Sequence, residues 1–147
     1  MKLAGLVALI LAAGLCASPD IYTASVEAGG SQGAKVGGAV QLVVKVTNTG
    51  PLIPHLGFVF RTADRWFERH QVTDLGGCSI ATDYSAFDCG DLARSETHTY
   101  TFQGIANQPG TFHYELALRE LVRPFDYVND HRDGADVQVW DEVVAPT

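Results

Sequence analysis

The sequence predicts an all-β protein, an immunoglobulin-like antiparallel β-sandwich of about seven to nine short strands. Three observations support this fold class. Apolar residues recur at every second position in several segments. Glycine, proline, asparagine and aspartate separate these segments from one another. No stretch of the sequence carries an apolar face with a 3.6-residue period over three helical turns.

The clearest strand is predicted over residues 39–49. Its even-numbered positions are apolar, and most of its odd-numbered positions are polar. The apolar positions are Val40, Leu42, Val44 and Val46. This alternation is typical of a strand with one buried face, and the turn residues 48–51 (NTGP) end it. The same pattern predicts strands at 55–62, 97–102, 111–123 and 135–144.

Four shorter segments complete the predicted set of strands. They are residues 21–27, 66–72, 78–81 and 86–89. Residues 66–69 (WFER) suit a single helical turn as an alternative. Because each inward face needs a partner face, two sheets should pack together, and a closed barrel is the main alternative architecture.

Composition limits the class of protein. The chain has 147 residues, of which 46% are hydrophobic, so it can build the core of one domain. Ten Lys and Arg residues stand against seventeen Asp and Glu residues, which gives a formal charge of −7. A charge of this sign argues against a surface that binds nucleic acid.

The N-terminus has the pattern of a secretory signal peptide. Lys2 precedes an uncharged apolar run over residues 3–15, and small residues follow it. The run is shorter than the roughly 20 residues that a spanning helix needs. We therefore expect a signal peptide at residues 1–17 and a single domain at 18–147. Alternatively, residues 13–16 resemble a bacterial lipobox, in which Cys16 would be lipidated.

Export determines how the cysteines are interpreted. Cys16 lies in the leader, which leaves Cys78 and Cys89 in a compartment where disulfides persist. A bond between them would stabilise the intervening loop by roughly 2–3 kcal/mol. A pair of metal-binding thiolates is the alternative, although neither cysteine belongs to a Cys-x-x-Cys motif.

An acidic segment near the C-terminus is a candidate calcium site. Its candidate ligands are Asp126, Asn129, Asp130 and Asp133. Ca²⁺ takes six to eight oxygen ligands, which such a turn could supply. The alternative is a polar turn in which Asn and Asp make local hydrogen bonds.

Three aromatic residues are candidates for a ligand-binding surface. Trp66, Phe67 and Trp140 could stack on a carbohydrate or anchor a protein partner if they were exposed. Trp140 lies on the opposite face of its strand from Val137 and Val139. The alternative is that all three aromatic rings fill the core. Arginines at 61, 65 and 69 would align if their segment were helical.

Catalytic and metal-binding patterns are weak. Residues 29–33 (GGSQG) match the Gly-x-Ser-x-Gly pattern of serine hydrolases, but a strand rather than a helix is predicted after Ser31. The chain has five histidines, none of them paired at i, i+2 or i, i+4 spacing. His98 and His113 lie opposite the apolar faces of their strands, so they should face solvent. We expect no enzyme activity and no cofactor.

Several motifs together resemble the bacterial repeat family called "domain of unknown function 11". The matching segments are 36–40, 44–51, 77–80, 87–97 and 107–112, and they include a strand ending in VTNTGP, the pair GCSI and FDCG, and the strand start NQPGTF. The resemblance covers most of residues 36–142, and residues 61–75 have no counterpart in it. It implies an extracytoplasmic immunoglobulin-like module related to cell-adhesion domains, and it supplies no catalytic residues.

The expected function is that of an exported, non-enzymatic module for surface architecture, adhesion or protein docking. Its expected location is the cell envelope or the outside of a bacterium, with a lipid anchor possible through Cys16. Its partner would be another envelope or surface protein. The alternative function is a carbohydrate- or calcium-binding module of the envelope.

Overall fold

The computed structural model describes residues 24–123, 125–129 and 137–147. Within these ranges the chain forms eleven strands and one turn of helix. The elements are β1 (Ala24–Gly30), β2 (Ala34–Lys35), β3 (Ala39–Asn48), β4 (Gly57–Phe60), α1 (Trp66–Arg69), β5 (His70–Asp74), β6 (Ser79–Ile80), β7 (Ala86–Asp88), β8 (Thr97–Ala106), β9 (Gly110–Arg123), β10 (Asp126–Asn129) and β11 (Val137–Ala145).

The strands form two sheets, which confirms the predicted β-sandwich. The four-stranded sheet has the order β1-β3-β8-β5. The seven-stranded sheet has the order β2-β11-β9-β4-β7-β6, with β10 paired to β9. All pairings are antiparallel except that of the two-residue strand β2, which runs parallel to β11. No ladder between described strands joins one sheet to the other, so the architecture is a sandwich rather than a closed barrel.

The core lies between the two sheets. The even-numbered residues of β3 are buried as their alternation predicts, and Leu116 and Leu118 of β9 oppose them from the other sheet. At the centre, the rings of Phe67, Phe87 and Phe102 meet edge to face at centroid distances between 4.9 and 5.4 Å. Aromatic pairs prefer such edge-to-face geometry, so this cluster fixes the packing of α1 against both sheets.

The segment predicted as a strand at 66–72 divides into α1 and β5. The backbone N–H groups of Glu68 and Arg69 both donate to the Arg65 carbonyl, at 3.0 and 3.1 Å, and this closes the helical turn. The turn allows the adjacent residues Trp66 and Phe67 to be buried together, which the two-residue period of a strand does not permit. Gly104 makes room for the start of β5, because a β-carbon there would lie only 2.9 Å from the Gln71 carbonyl oxygen.

Strand β11 buries the face that carries fewer aliphatic residues. Val139 and Val143 are 56% and 55% exposed, whereas Glu142 and Val144 are buried. Trp140 lies on the inward side, half-buried, with its ring 5.3 Å from that of Tyr114. Glu142 lies on the same inward face, where its carboxylate contacts Tyr114 and His70.

Cys78 and Cys89 form a disulfide, as predicted. Cys78 comes directly before β6, and Cys89 comes directly after β7. The bond therefore joins the outermost strand of the seven-stranded sheet to its neighbour. Among the described residues, no helix is long and apolar enough to cross a membrane.

Candidate functional site

A group of hydrogen-bonded polar side chains lies at one end of the sandwich, which we call the loop end. It consists of the β4–α1 loop (residues 61–65), the β6–β7 turn (residues 81–85) and the neighbouring parts of β9 and β11. The register of β4 and β7 pairs Val59 with Ala86, and the Phe60 N–H donates to the Ser85 carbonyl at 2.8 Å.

The β4–α1 loop is fixed to β9 by hydrogen bonds. The Thr62 hydroxyl donates to the His113 carbonyl at 2.9 Å, and the His113 N–H donates to Asp64 Oδ2 at 2.8 Å. The other carboxylate oxygen of Asp64 accepts from Arg69 Nη2 at 2.8 Å and Nε at 3.2 Å. The Arg69 guanidinium also lies 5.1 Å from the centre of the Phe112 ring. Each side of the loop is therefore tied to a strand or to α1 before any partner binds.

An exposed ion pair flanks this loop on the outer face of the seven-stranded sheet. His113 Nδ1 lies 2.6 Å from Asp141 Oδ1, and both side chains are more than half exposed. The hydrogen bond that His113 donates to Asp141 raises the pKa of His113, and the negative charges of Asp141, Glu115 and Asp64 act in the same direction. The pair holds β11 and β9 together at their outer surface.

Directly beneath the loop end lies a buried cluster of His70, Tyr114 and Glu142. The Tyr114 hydroxyl donates to Glu142 Oε1 at 2.9 Å, and His70 Nε2 lies 2.9 Å from the same oxygen. His70 Nδ1 donates to the Trp66 carbonyl at 2.7 Å. The side chains of His70 and Glu142 are both 0% exposed. Burial raises the pKa of the Tyr114 phenol well above its usual range, and the charge of Glu142 raises it further.

This buried cluster connects the two sheets. His70 begins β5 in the four-stranded sheet, while Tyr114 and Glu142 belong to β9 and β11 in the seven-stranded sheet. Glu142 Oε2 has no hydrogen-bond partner in the described part of the chain. A buried carboxylate with one unpartnered oxygen destabilises the fold unless its remaining contacts compensate. The cluster therefore sets the position of α1, and with it the β4–α1 loop, relative to β11.

The buried cluster is not accessible to a bound substrate. Its side chains are buried from solvent. They do not line the shallow groove of about 350 Å³ that lies on the four-stranded sheet. That groove is lined by uncharged residues and by Glu27 and Lys45. These two residues are register partners on the neighbouring strands β1 and β3. No group of three or more His, Cys, Asp or Glu side chains converges as a metal site in residues 24–123, 125–129 and 137–147.

The structure corrects the expected aromatic binding surface. Trp66 is 0% exposed and Phe67 is 2% exposed, because α1 inserts both rings between the sheets. Trp140 is half-buried against Tyr114, and its indole nitrogen lies near Gly30. These rings fill the core and do not form a surface on which a sugar could stack.

The other sequence candidates have different outcomes. Ser31 lies in the turn between β1 and β2, where its hydroxyl accepts from the Gln41 N–H at 2.8 Å, and no helix follows it. His98 and His113 are exposed as predicted, whereas His70 is buried. The helix is too short to align the three arginines at 61, 65 and 69.

Two candidate sites lie partly or wholly outside the described structure. Of the calcium candidates, Asp130 and Asp133 lie outside the described residues, while Asp126 and Asn129 are described as the ends of β10. Cys16 and the predicted signal peptide also lie outside the described residues.

Sequence reasoning missed the buried cluster and the exposed Tyr84. The cluster joins residues that are far apart in the sequence, so no local motif indicates it. A weak signal was present in β11, because Glu142 has the same parity as Val144. For Tyr84 the signal was its place in a short turn between two predicted strands.

Comparisons with known proteins agree with the fold. No protein-family model matches the chain, and no curated protein matches it. Among solved structures, the chain is similar to the CARDB (cell-adhesion-related) domain of a Pyrococcus furiosus protein. The solution structure of that domain matches with a TM-score of 0.52 and 16% identity, over 84% of this chain and 94% of that one. A crystal structure of the same domain, in complex with di-metal ions, matches with a TM-score of 0.53 and 17% identity over the same shares. At this level of identity the likeness establishes a shared immunoglobulin-like sandwich fold.

Proposed function

We propose that this protein is an exported, non-enzymatic adhesion-related module that docks another envelope or surface protein through its loop end. The observation that carries the proposal is the fixed β4–α1 loop, held by Thr62, Asp64 and Arg69 at an exposed end of the sandwich. The similarity to CARDB domains supports an adhesion-related role.

Rigidity is the property that suits this loop to docking. A loop that is already ordered loses little conformational freedom when a partner binds, so more of the contact energy appears as affinity. The buried cluster of His70, Tyr114 and Glu142 contributes from below by fixing α1. Polar side chains on loops positioned by a rigid scaffold are a frequent means of recognition in sandwich proteins.

Export is supported by the disulfide. Bonds such as Cys78–Cys89 persist in oxidising compartments and are rare in the reducing cytosol. Mass spectrometry of the protein purified from its own cells tests this part of the proposal. We expect an N-terminus after Ala17, or an acylated Cys16, together with the loss of two hydrogens at the cysteines. An intact Met1 with free thiols would contradict export.

Site-specific photo-cross-linking in the source cells tests docking through the loop end. A photoreactive amino acid replaces Arg61 at the loop end, and a matched control replaces Val43 on the outer face of the four-stranded sheet. We expect a discrete protein adduct from position 61 and none from position 43. Adducts from position 43 alone would move the docking surface to the sheet, and no adduct from either position would refute docking.

A second candidate function is binding of a divalent cation by the acidic segment at residues 126–133. The specific support is the oxygen-rich sequence of this segment, together with the metal ions in the crystal structure of the similar CARDB domain. Thermal unfolding with Ca²⁺ or with a chelator tests it, because a ligand of the native state raises the midpoint. Equal midpoints in both conditions would exclude a calcium site of useful affinity.

A further inference from the structure

We propose that this protein forms a symmetric dimer in which strand β11 of one copy pairs antiparallel with β11 of a second copy. The contact is made by the unpaired edge of β11, which is the side of residues 137–141 that faces away from β9. The inference does not depend on the docking function proposed above, because it concerns the edge of a sheet and not the β4–α1 loop.

Strand β11 has a neighbour along its whole length on one side only. On that side β9 pairs with residues 137–144, whereas on the other side β2 pairs only with Val144 and Ala145. Among the described strands, no other strand pairs with β11. An open sheet edge of this kind is completed when a strand from another chain adds to it.

The hydrogen bond that holds β2 identifies which backbone groups face the unpaired edge. The Val36 N–H donates to the Ala145 carbonyl at 2.9 Å, so the backbone groups of Ala145 point away from β9. Backbone groups alternate between the two sides of a strand, and β11 pairs with β9 without a bulge. The N–H and C=O groups of Val137, Val139 and Asp141, which have the same parity as Ala145, therefore point to the unpaired edge.

The exposed side chains of β11 favour association. Val139 is 56% exposed and Val143 is 55% exposed. In the described part of the chain, these are two of only four large hydrophobic residues that are exposed. An exposed apolar side chain on an open strand edge is a typical site of association. The carboxylate of Asp141 would repel another acidic strand, but it is paired with His113 at 2.6 Å.

Strand β1 lies beside β11 and leaves these backbone groups available. The Ala28 N–H donates to Gln138 Oε1 at 3.4 Å, and Gly30 lies next to the indole nitrogen of Trp140. Both contacts are made by side chains at even-numbered positions of β11. The Gln138 side chain also donates to the Val137 carbonyl at 3.2 Å. A carbonyl oxygen has two lone pairs, so this one can accept a second donor from a partner strand.

The unpaired edge is self-complementary, and this identifies the partner as a second copy of the chain. Because β2 occupies the edge beyond it, the paired segment is confined to residues 137–141, whose central residue is Val139. A two-fold axis at Val139 places this residue against its own counterpart and Asp141 against Val137 of the second copy. The exposed valines then cover each other, and no like charges stand directly opposite. One contact of this symmetric type satisfies the open edges of both copies.

Sedimentation equilibrium of the purified, disulfide-bonded protein tests the dimer. The decisive variant is Val139→Pro, because the Val139 N–H faces the unpaired edge and proline therefore removes no bond to β9. We expect a concentration-dependent dimer in the wild type. In Val139→Pro we expect a dissociation constant that is higher by roughly tenfold or more, since the two central hydrogen bonds between the copies are lost. Val143→Ala is the matched control and should leave the dimer unchanged, because this valine is equally exposed but lies outside the paired segment.

Disulfide trapping tests the position of the two-fold axis and does not depend on the proline variant. In Val139→Cys the new thiols of the two copies would face each other at the axis, within the range that a disulfide spans. In Val143→Cys they would lie roughly 27 Å apart, at 3.4 Å for each residue along the strand. We expect cross-linked dimers from position 139 and none from position 143 on a non-reducing gel.

Several outcomes would overturn the proposal. A protein that is monomeric at every concentration would do so, and so would equal association of the wild type and a Val139→Pro variant that thermal unfolding shows to be folded. Cross-linking from position 143 rather than from position 139 would place the contact elsewhere. If the protein is monomeric and a photoreactive residue at position 139 captures a different protein in the source cells, the edge receives a strand of that protein and the dimer is refuted.

Discussion

Replacing His70 by leucine is expected to destabilise the fold by about 3 to 5 kcal/mol, because it leaves the buried Glu142 carboxyl group and the Trp66 carbonyl without the contacts that His70 makes with them. The side chains of His70 and Glu142 are 0% exposed, so water cannot compensate for the loss. Leucine has a similar volume to histidine, so the contribution of a cavity should be small. Tyr114 still donates to Glu142 Oε1, which places the expected value towards the lower end of the range.

Replacing the cluster as a whole should have a smaller effect. In His70→Leu/Glu142→Leu the contact is removed from both sides, and the Tyr114 hydroxyl and the Trp66 carbonyl are left without the partners that Glu142 and His70 supply. Adding Tyr114→Phe removes that hydroxyl, so in the triple variant only the Trp66 carbonyl loses its partner from the cluster, at a cost of about 1 to 3 kcal/mol. The single substitution thus destabilises more than the triple substitution that contains it.

Equilibrium unfolding in guanidinium chloride measures these differences in the free energy of unfolding. They follow from the shifts of the transition midpoint when the dependence of the free energy on denaturant (the m-value) is unchanged. The wild type, the single, the double and the triple variants are compared at neutral pH. A loss below about 1 kcal/mol in His70→Leu would refute the reasoning, since it would mean that the contacts of His70 do not offset the burial of Glu142. Additive losses in the double variant would refute it as well, because they would show that His70 and Glu142 act independently.

Three further predictions concern other parts of the fold. Cys78→Ser/Cys89→Ser should lower the free energy of unfolding by roughly 2 to 3 kcal/mol, measured by chemical unfolding without reductant. The pKa of His113 is raised, so its pair with Asp141 stabilises the fold below the unfolded pKa of about 6.5, and this contribution is lost as pH rises through the higher folded pKa. Asp141→Asn should reduce that pH dependence, and an unchanged His113 titration by NMR would contradict the assignment. Phe67→Ala should destabilise by about 3 to 5 kcal/mol, since the ring is buried, and a thermal midpoint equal to that of the wild type would restore the surface interpretation.

Sequence periodicity predicted those parts of the fold in which one strand face is apolar and the other polar. The strands predicted at 39–49 and 111–123 agree within one residue with β3 and β9. The prediction at 66–72 was half wrong, because Trp66 and Phe67 are adjacent and both buried, which requires the helical turn of α1. Local pattern cannot show this, since the rings that pack against Phe67, those of Phe87 and Phe102, come from strands that are distant in the sequence.

The candidate site was predicted less well than the fold, for a physical reason. The side chain of Glu142 is buried only because His70 and Tyr114, from other strands, offer it partners. Tyr84 adopts its left-handed conformation only because the β6–β7 hairpin closes around it. Both features depend on tertiary contacts rather than on neighbouring residues. The Cys78–Cys89 disulfide could be predicted, because the two cysteines and the expected oxidising compartment are properties of the sequence itself.

The position of the disulfide has a consequence for how the chain must be handled by its cell. Strand β6 has only two residues, and the bond beside it keeps it on the rim of the seven-stranded sheet. If the bond is reduced, β6 can detach and leave the backbone of β7, with Phe87 in its middle, available to other chains. An exposed edge strand of this kind can pair with strands of other chains, which leads to aggregation. The chain should therefore aggregate least when its thiols are oxidised soon after synthesis. Recombinant production should yield insoluble material in a reducing cytoplasm and soluble protein in an oxidising one.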